Sequence, residues 1–230
     1  MTTPSNPYSI PLKEMAERYS KLYTAAIHDI LQEMDINHQW LGPEITCKTI
    51  ELMNRIVAGA AFTVQWIFDP LPDEREKPAA KMVQAYPEDH IIVVDAGADQ
   101  ISGFWGELAT TVCLKNGVRG AVNNGGAKDT GIIKTMGFPI FCKFTSPVDG
   151  FYRSGLRDWQ IPIWINEILI RPGDMIVADN DGVLIVPQEI AEQVLIDTER
   201  RVLEETQTRK LLKQGVSADE ASTITGRKDL

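Results

Sequence analysis

A chain of 230 residues with 43% apolar and 24% charged side chains, 17 glycines and 13 prolines has the make-up of a folded globular protein, which excludes disordered, collagenous and coiled-coil chains. With 23 basic against 32 acidic residues the net charge is −9, so phosphate backbones are repelled at long range and nucleic acid is not expected as a partner. The three cysteines, Cys47, Cys113 and Cys142, are far apart and give neither a disulfide framework nor a zinc knuckle, and the start Met1 to Tyr8 has no basic or apolar leader. With no apolar run of membrane-spanning length, the expected location is the cytoplasm, without a membrane partner.

The first ten residues, with two prolines, predict an extended arm. Past Pro11, Leu12, Met15, Tyr19, Leu22, Ala26, Ile30 and Met34 recur at three- to four-residue steps, the period of a half-buried helix, and Thr24 is a candidate N-cap that divides the run into two helices. Small and β-branched residues from Ile56 to Phe68 predict a strand. Asp69 to Pro78, three prolines among six charged side chains, predicts a surface loop. Continuous apolar runs at His90 to Asp95, Val118 to Val122 and Phe138 to Cys142 predict strands covered on both faces. Helical stretches at Phe104 to Asn116 and Thr130 to Met136 alternate with them, which indicates β-α-β connections. Tight turns at Arg171 to Asp174 and Asn180 to Gly182 flank strands Met175 to Ala178 and Val183 to Val186, so the sheet is predicted to be mixed. A long helix follows from Gln188 to Gln214. Its stripe of Ala191, Val194, Leu195 and Val202 gives way to charge beyond Leu203, which suits a helix end that leaves its own core. The organisation expected is an arm and helix over 1–21, one domain over 22–187, and a C-terminal helix and tail over 188–230 placed to contact a neighbouring subunit.

Several segments invite a functional reading. Val94 to Asp99 has the acidic strand end of an adenosyl-cofactor site but one glycine where three are wanted, so a plain strand end is preferred. Asp179 to Gly182 has the look of a calcium loop, yet Val177 and Gln188 stand where its first and last ligands belong, so a turn is preferred. His28, His38 and His90 have no evident partners. The segment Asn123-Asn-Gly-Gly-Ala-Lys128-Asp129-Thr130-Gly131, between a strand and a helix, reads in two ways. Its glycines let backbone approach an anion at a helix start, or Asp129 is a simple N-cap and Lys128 faces water. A second junction, Asp99 to Ala109, offers amides at Ser102, Gly103 and Gly106 near an acidic side chain.

Glu107 and Lys128 are separated by 20 residues, and Asp129 follows. With Ala25 to Leu31, Val93 to Gly97, Trp105 to Ala109, Gly137 to Phe141 and Arg171 to Val183, this spacing resembles the RraA-like family over roughly residues 22–215. That family includes the class II 4-hydroxy-4-methyl-2-oxoglutarate and 4-carboxy-4-hydroxy-2-oxoadipate aldolases. The resemblance implies a three-layer α/β/α fold around a mixed β-sheet, of the swivelling-domain type, assembled as a homotrimer or homohexamer with sites between subunits. It assigns Asp129 to the metal, Mg²⁺ or Mn²⁺, and Lys128 to the substrate. Gly106, Glu107, Leu108 and Ala109 form the backbone site for the substrate carboxylate, and Glu107 is the acidic position. Glu204 or Glu205 would reach a neighbouring subunit's site.

The chemistry implied is cleavage of a 4-hydroxy-2-oxo acid, or decarboxylation of oxaloacetate, through a pyruvate enolate, with Glu107 moving the proton. The aldolases have Arg where this chain has Lys128. A compact ammonium does not replace a planar fork, so a different oxo acid, a bias toward decarboxylation or loss of catalysis follows. Imine formation by Lys128 is disfavoured because Asp129 beside it keeps the ammonium charged. The insertion at Asp69 to Pro78 and the aromatics Trp66, Phe68 and Trp105 suggest a reshaped pocket. The rival reading is a regulator that binds a basic protein partner without catalysis, and an adenosyl-dependent methyltransferase stands third.

Overall fold

The computed structural model describes residues 6–51, 55–68, 79–97, 99–150 and 153–226. The segment Asp69 to Pro78, predicted as a surface loop, lies outside the described residues, as do the first five residues of the predicted arm. The fold is α/β, built on a mixed sheet. Its strands, in chain order, are β1 (Thr46–Cys47), β2 (Val57–Phe68), β3 (His90–Asp95), β4 (Gly103–Trp105), β5 (Gly120–Ala127), β6 (Ile140–Thr145), β7 (Ser154–Trp159), β10 (Met175–Asp179) and β11 (Gly182–Val186), with β8 (Ile163–Ile165) and β9 (Ile168–Ile170) forming a separate hairpin. The helices are α1 (Leu12–Tyr19), α2 (Thr24–Glu33), α3 (Ala79–Gln84), α4 (Glu107–Asn116), α5 (Thr130–Met136), α6 (Ala191–Lys213) and α7 (Ala218–Thr225).

The sheet runs β1-β6-β5-β3-β2-β10-β11. Its centre β2-β3-β5-β6 is parallel and its flanks are antiparallel, as the helical crossovers and the tight turns require. The β10–β11 register, Met175 opposite Val186 and Asp179 opposite Gly182, places the turn where Asn180-Asp-Gly predicts it. Strands β3, β10 and β11 are buried at every position. One of their faces packs helices, α1, α2 and α6 against Ala58, Met175, Val177, Leu184 and Val186, and α3 to α5 against Phe62, Val64, Ile92, Val94 and Ile140. The other face gathers Val57, Ile91, Val93, Val122, Phe141, Ile176 and Ile185 into one core with the β8–β9 isoleucines Ile163, Ile165, Ile168 and Ile170.

The segment before β2 nearly closes the sheet on itself. The Leu41 and Ile185 amides exchange bonds with Val183 and Gln39 carbonyls at the β11 edge, at 3.0 and 2.9 Å. A few residues on, Thr46 and Cys47 pair with Cys142 and Phe141 of β6, so both edges are covered by one stretch of chain.

Local structure differs from expectation at several places, among them Phe104 and Trp105, expected to open a helix and found in β4, with α4 beginning at Glu107. The N-cap of α2 is Tyr23, and Thr24 is its first residue. The cap comes instead from β10, where Asp179 accepts the Thr24 N–H at 2.8 Å and its hydroxyl at 2.7 Å. This also settles Asp179 as part of a structural turn. The strand expected to stop at Val122 continues to Ala127, with a register shift between Asn123 and Gly126. The charged end of α6 is covered in part by α7, with Thr208 buried and bonded to Thr225 at 2.9 Å.

Candidate active site

Strands β3 and β5 deliver their C-terminal ends side by side; from β3 the chain passes through β4 into α4, and from β5 it enters α5 through Lys128 and Asp129. Asp95 ends β3 and is held by the Gln65 amide at 2.9 Å, the Asn124 amide at 3.0 Å and the Gly97 N–H at 2.9 Å. Asp99 accepts the Ile101 and Ser102 amides at 2.7 and 2.8 Å and the Ser102 hydroxyl at 2.8 Å. Burial acts to raise the Asp99 pKa, but these bonds and the Arg153 guanidinium outweigh it and hold the carboxyl below its ordinary value. Both carboxylates are thus committed to shaping loops, and Val94 to Asp99 is a strand end; Ala98 lies outside the described residues.

The amides expected to be open at Ser102 and Gly103 are also used, the second by the Val148 carbonyl at 2.8 Å. Nor do Gly125 and Gly126 form an anion loop. A Cβ on Gly125 would stand 2.6 Å from the Ala96 methyl, and one on Gly126 would stand 2.5 Å from the Phe144 ring and 2.8 Å from the Ser102 carbonyl. These glycines permit close strand packing.

What does come together is the set Gly106, Glu107, Lys128 and Asp129. Gly106 is the N-cap of α4, with extended backbone, and Glu107 is the first helical residue. Asp129 is the N-cap residue of α5 in the left-handed conformation, φ 57°, and its side chain makes no cap bond to α5. Instead its carboxylate reaches the other helix and accepts the Glu107 N–H at 3.3 Å. The positive φ is a backbone cost borne at this position, and it aims the carboxylate across to α4. The Lys128 N–H donates to the Trp105 carbonyl at 2.8 Å, locking the two connections together. Its stem then passes Gly106 so closely that a Cβ there would lie 3.0 Å from Lys128 Cε and 2.9 Å from Asp129 Oδ2. A glycine is required for this approach.

The Lys128 ammonium ends on the Asp149 carboxylate. This hydrogen bond raises the lysine pKa above its ordinary range, against the desolvation of partial burial, and the charges of Asp149 and Asp129 add to it. The ammonium is therefore held protonated. Around the pair lies an open cleft of about 300 Å³ walled by Trp66, Gly103, Phe104, Trp105 and Gly150. Trp66 and Phe104 rings stand 5.8 Å apart, and Trp105 is fixed behind them by its indole N–H bond to Thr110 at 2.9 Å.

The remaining expected site residues take simpler positions. Glu107 accepts the Thr111 hydroxyl at 2.9 Å along its own helix. The Leu108 side chain is 78% exposed, and Leu108 and Ala109 lie in the first turn of α4, whose N–H groups point out of the helix end. Glu204 and Glu205 lie on α6, where Arg209 approaches Glu205 at 3.8 Å, and neither lines this chain's cleft. The side chain of Phe68 lies outside the described residues. Asp149 was not among the residues singled out by sequence. It sits in Ser146-Pro-Val-Asp-Gly150, a plain turn by composition, and is brought to the cleft by its parallel bridge to Gly103.

Lys128, Asp129 and Asp149 are thus brought close together at one end of the parallel strands of an α/β fold. The chain belongs to the RraA-like family: the family model (Aldolase/RraA) matches residues 24–185. Among curated relatives, Protein DlpA of Legionella pneumophila is 30% identical over 86% of this chain and 31% of its own length. The "Putative 4-hydroxy-4-methyl-2-oxoglutarate aldolase" of Halalkalibacterium halodurans is 31% identical over 60% of this chain and 64% of its own. The chain thus spans less than two thirds of the length of these relatives. Two solved structures share the fold. A Pseudomonas syringae pv. tomato protein superposes with a TM-score of 0.82 at 25% identity, covering 97% of this chain and 99% of that one. Streptomyces coelicolor RraAS2, of the RNase ES inhibitor RraA family, superposes at 0.78 and 22% identity, covering 87% and 99%. No helix among the described residues is long and apolar enough to cross a membrane.

Proposed function

We propose that this cleft is the active site of a divalent-metal-dependent lyase that cleaves a small 2-oxo acid and releases pyruvate. The observation that carries the reading is that Lys128 and Gly106, the N-cap of α4, line one cleft, with the Asp129 carboxylate beside Gly106 and bonded to the Glu107 amide. The relatives named as aldolases support the reaction class.

Among the described residues no cluster of three or more Asp, Glu, His or Cys side chains forms a closed metal cage. Asp129 offers one exposed carboxylate, which fits Mg²⁺ or Mn²⁺, hard ions that keep several waters and take few protein ligands. Bound there, the ion supplies Lewis-acid polarisation of the oxo acid. The chain's own groups do the rest. The amides of Leu108 and Ala109 take the substrate carboxylate at the helix N-terminus. Lys128 places a permanent positive charge beside the C2 oxygen, where negative charge develops as the bond beyond C3 breaks. Glu107, the first residue of α4, moves the proton through water. A trimer or hexamer, with Glu204 or Glu205 of α6 meeting a neighbour's site, belongs to the same reading. Leu108 and Ile132, 78% and 57% exposed at the first turns of α4 and α5, are the apolar surface that such an assembly would cover.

The test is pyruvate release from oxaloacetate and from 4-hydroxy-2-oxo acids with Mg²⁺ or Mn²⁺. Turnover is expected to stop with chelator and in Asp129→Ala. Turnover that survives either treatment defeats the metal mechanism, and no turnover with capture of a basic protein partner favours the regulator reading.

A further inference from the structure

Among the described residues the cleft wall carries two charged side chains, Lys128 and Asp149, and they are bonded to each other. The rest of the described wall is aromatic or glycine. Asp149 is a fixed part of that wall. Its backbone bridges to Gly103, the preceding Val148 carbonyl accepts the Gly103 N–H at 2.8 Å, and a Cβ on the following Gly150 would lie 3.0 Å from the Phe104 ring. The lysine charge is therefore shared before any ligand arrives. Beyond it a ligand meets a carboxylate and the rings of Trp66 and Phe104.

We infer that Asp149 is a specificity-determining residue that makes the cleft select 2-oxo monoacids with an uncharged, apolar far end over 2-oxo diacids. This rests on the proposed oxo-acid reading and narrows its substrate class. The first carboxylate and the C2 oxygen have their own donors, the α4 amides and Lys128. A second carboxylate finds no further cation among the described wall residues and meets the like charge of Asp149, which repels it even in an open cleft. An alkyl or aryl end meets the indole and phenyl faces and buries apolar surface. An aldolase substrate that fits is a 4-hydroxy-2-oxo acid with a hydrocarbon substituent at C4. By the same rule, oxaloacetate is the poorer substrate.

The test is calorimetric titration of the full chain, in MgCl₂, with 2-oxohexanoate and with 2-oxoglutarate, two oxo acids of similar length differing in the far end. Wild type is expected to bind 2-oxohexanoate at least about tenfold more tightly. In Asp149→Asn, 2-oxoglutarate should gain at least about tenfold while 2-oxohexanoate changes less than about threefold. Asp149→Ser should behave alike and guards against a folding defect of one variant. Equal or tighter binding of the diacid by wild type overturns the inference, as does a ratio unchanged in both variants. Failure of either acid to bind any of the three proteins overturns it together with the oxo-acid reading. The expected binding pattern with no pyruvate release from any 4-hydroxy-2-oxo acid removes the lyase and leaves the selectivity of the site standing.

Discussion

Gly106→Ala isolates the site from the fold. Gly106 has φ −148° and ψ −178°, extended backbone that alanine adopts freely, so the added methyl acts through contacts alone. Its Cβ would lie 2.9 Å from Asp129 Oδ2 and 3.0 Å from Lys128 Cε, where ordinary contacts begin near 3.4 Å, so the two side chains must each retreat by about 0.5 Å. A misplacement of 1 Å can cost about 100-fold in rate, so a retreat of half that predicts a loss of about tenfold in kcat/KM. Glycine is also the better N-cap, so the exchange costs about 1 kcal/mol or less, a fall in Tm of roughly 2–4 °C for a chain of this size. Pyruvate release from a 4-hydroxy-2-oxo acid, with thermal unfolding measured on the same sample, reads both effects. Activity within twofold of wild type would refute placing the chemistry at this junction. A Tm fall much beyond 4 °C would show that the methyl disturbs the fold.

Asp129→Asn keeps an oxygen for the Glu107 N–H but removes the charge, so Tm should hold while the Mg²⁺ requirement and turnover are lost together, by at least about 100-fold; an active variant contradicts the assigned role. Asp179→Ala should destabilise by roughly 2–3 kcal/mol, seen in urea unfolding, because it strips two bonds from buried Thr24 at the start of α2. His90 is buried, and burial outweighs its bond to the Glu88 carbonyl and the nearby Asp89, so its pKa lies below 6.5 when folded. The unfolded chain then binds the proton more readily, so this histidine lowers stability as pH falls below about 6.5 and has no effect above it. A Tm against pH series should show that slope, and His90→Gln should flatten it.

Much of the architecture is written locally. Continuous apolar runs, the 3.6-residue period, Asn180-Asp-Gly182 and Arg171-Pro-Gly-Asp174 place most strands, helices and tight turns within a few residues, because those signals depend on neighbours in sequence. What the apolar strand runs leave open is the identity of the covering layer. The isoleucines of β8 and β9 fill one face of the sheet, yet each of those strands is three residues long, too short to carry a pattern. The site divides in the same way. Glu107, Lys128 and Asp129 are tied by a fixed spacing, and the structure brings them together through the β4–β5 pairing of Gly103 with Gly126 and Trp105 with Ala127. Asp149 lies 21 residues from Lys128 and reaches it through the same Gly103. Gly125 and Gly126 show the limit of reading glycine as a loop signal, since only their neighbours Ala96, Phe104 and Phe144 reveal that they serve packing.

A crystal structure of the protein with pyruvate and Mg²⁺ tests the central claim most directly. The prediction is pyruvate in the cleft, its carboxylate on the amides of Leu108 and Ala109, its keto oxygen facing the Lys128 ammonium, and the ion held on the Asp129 side. Pyruvate bound elsewhere, or Mg²⁺ held without any part played by Asp129, would contradict it.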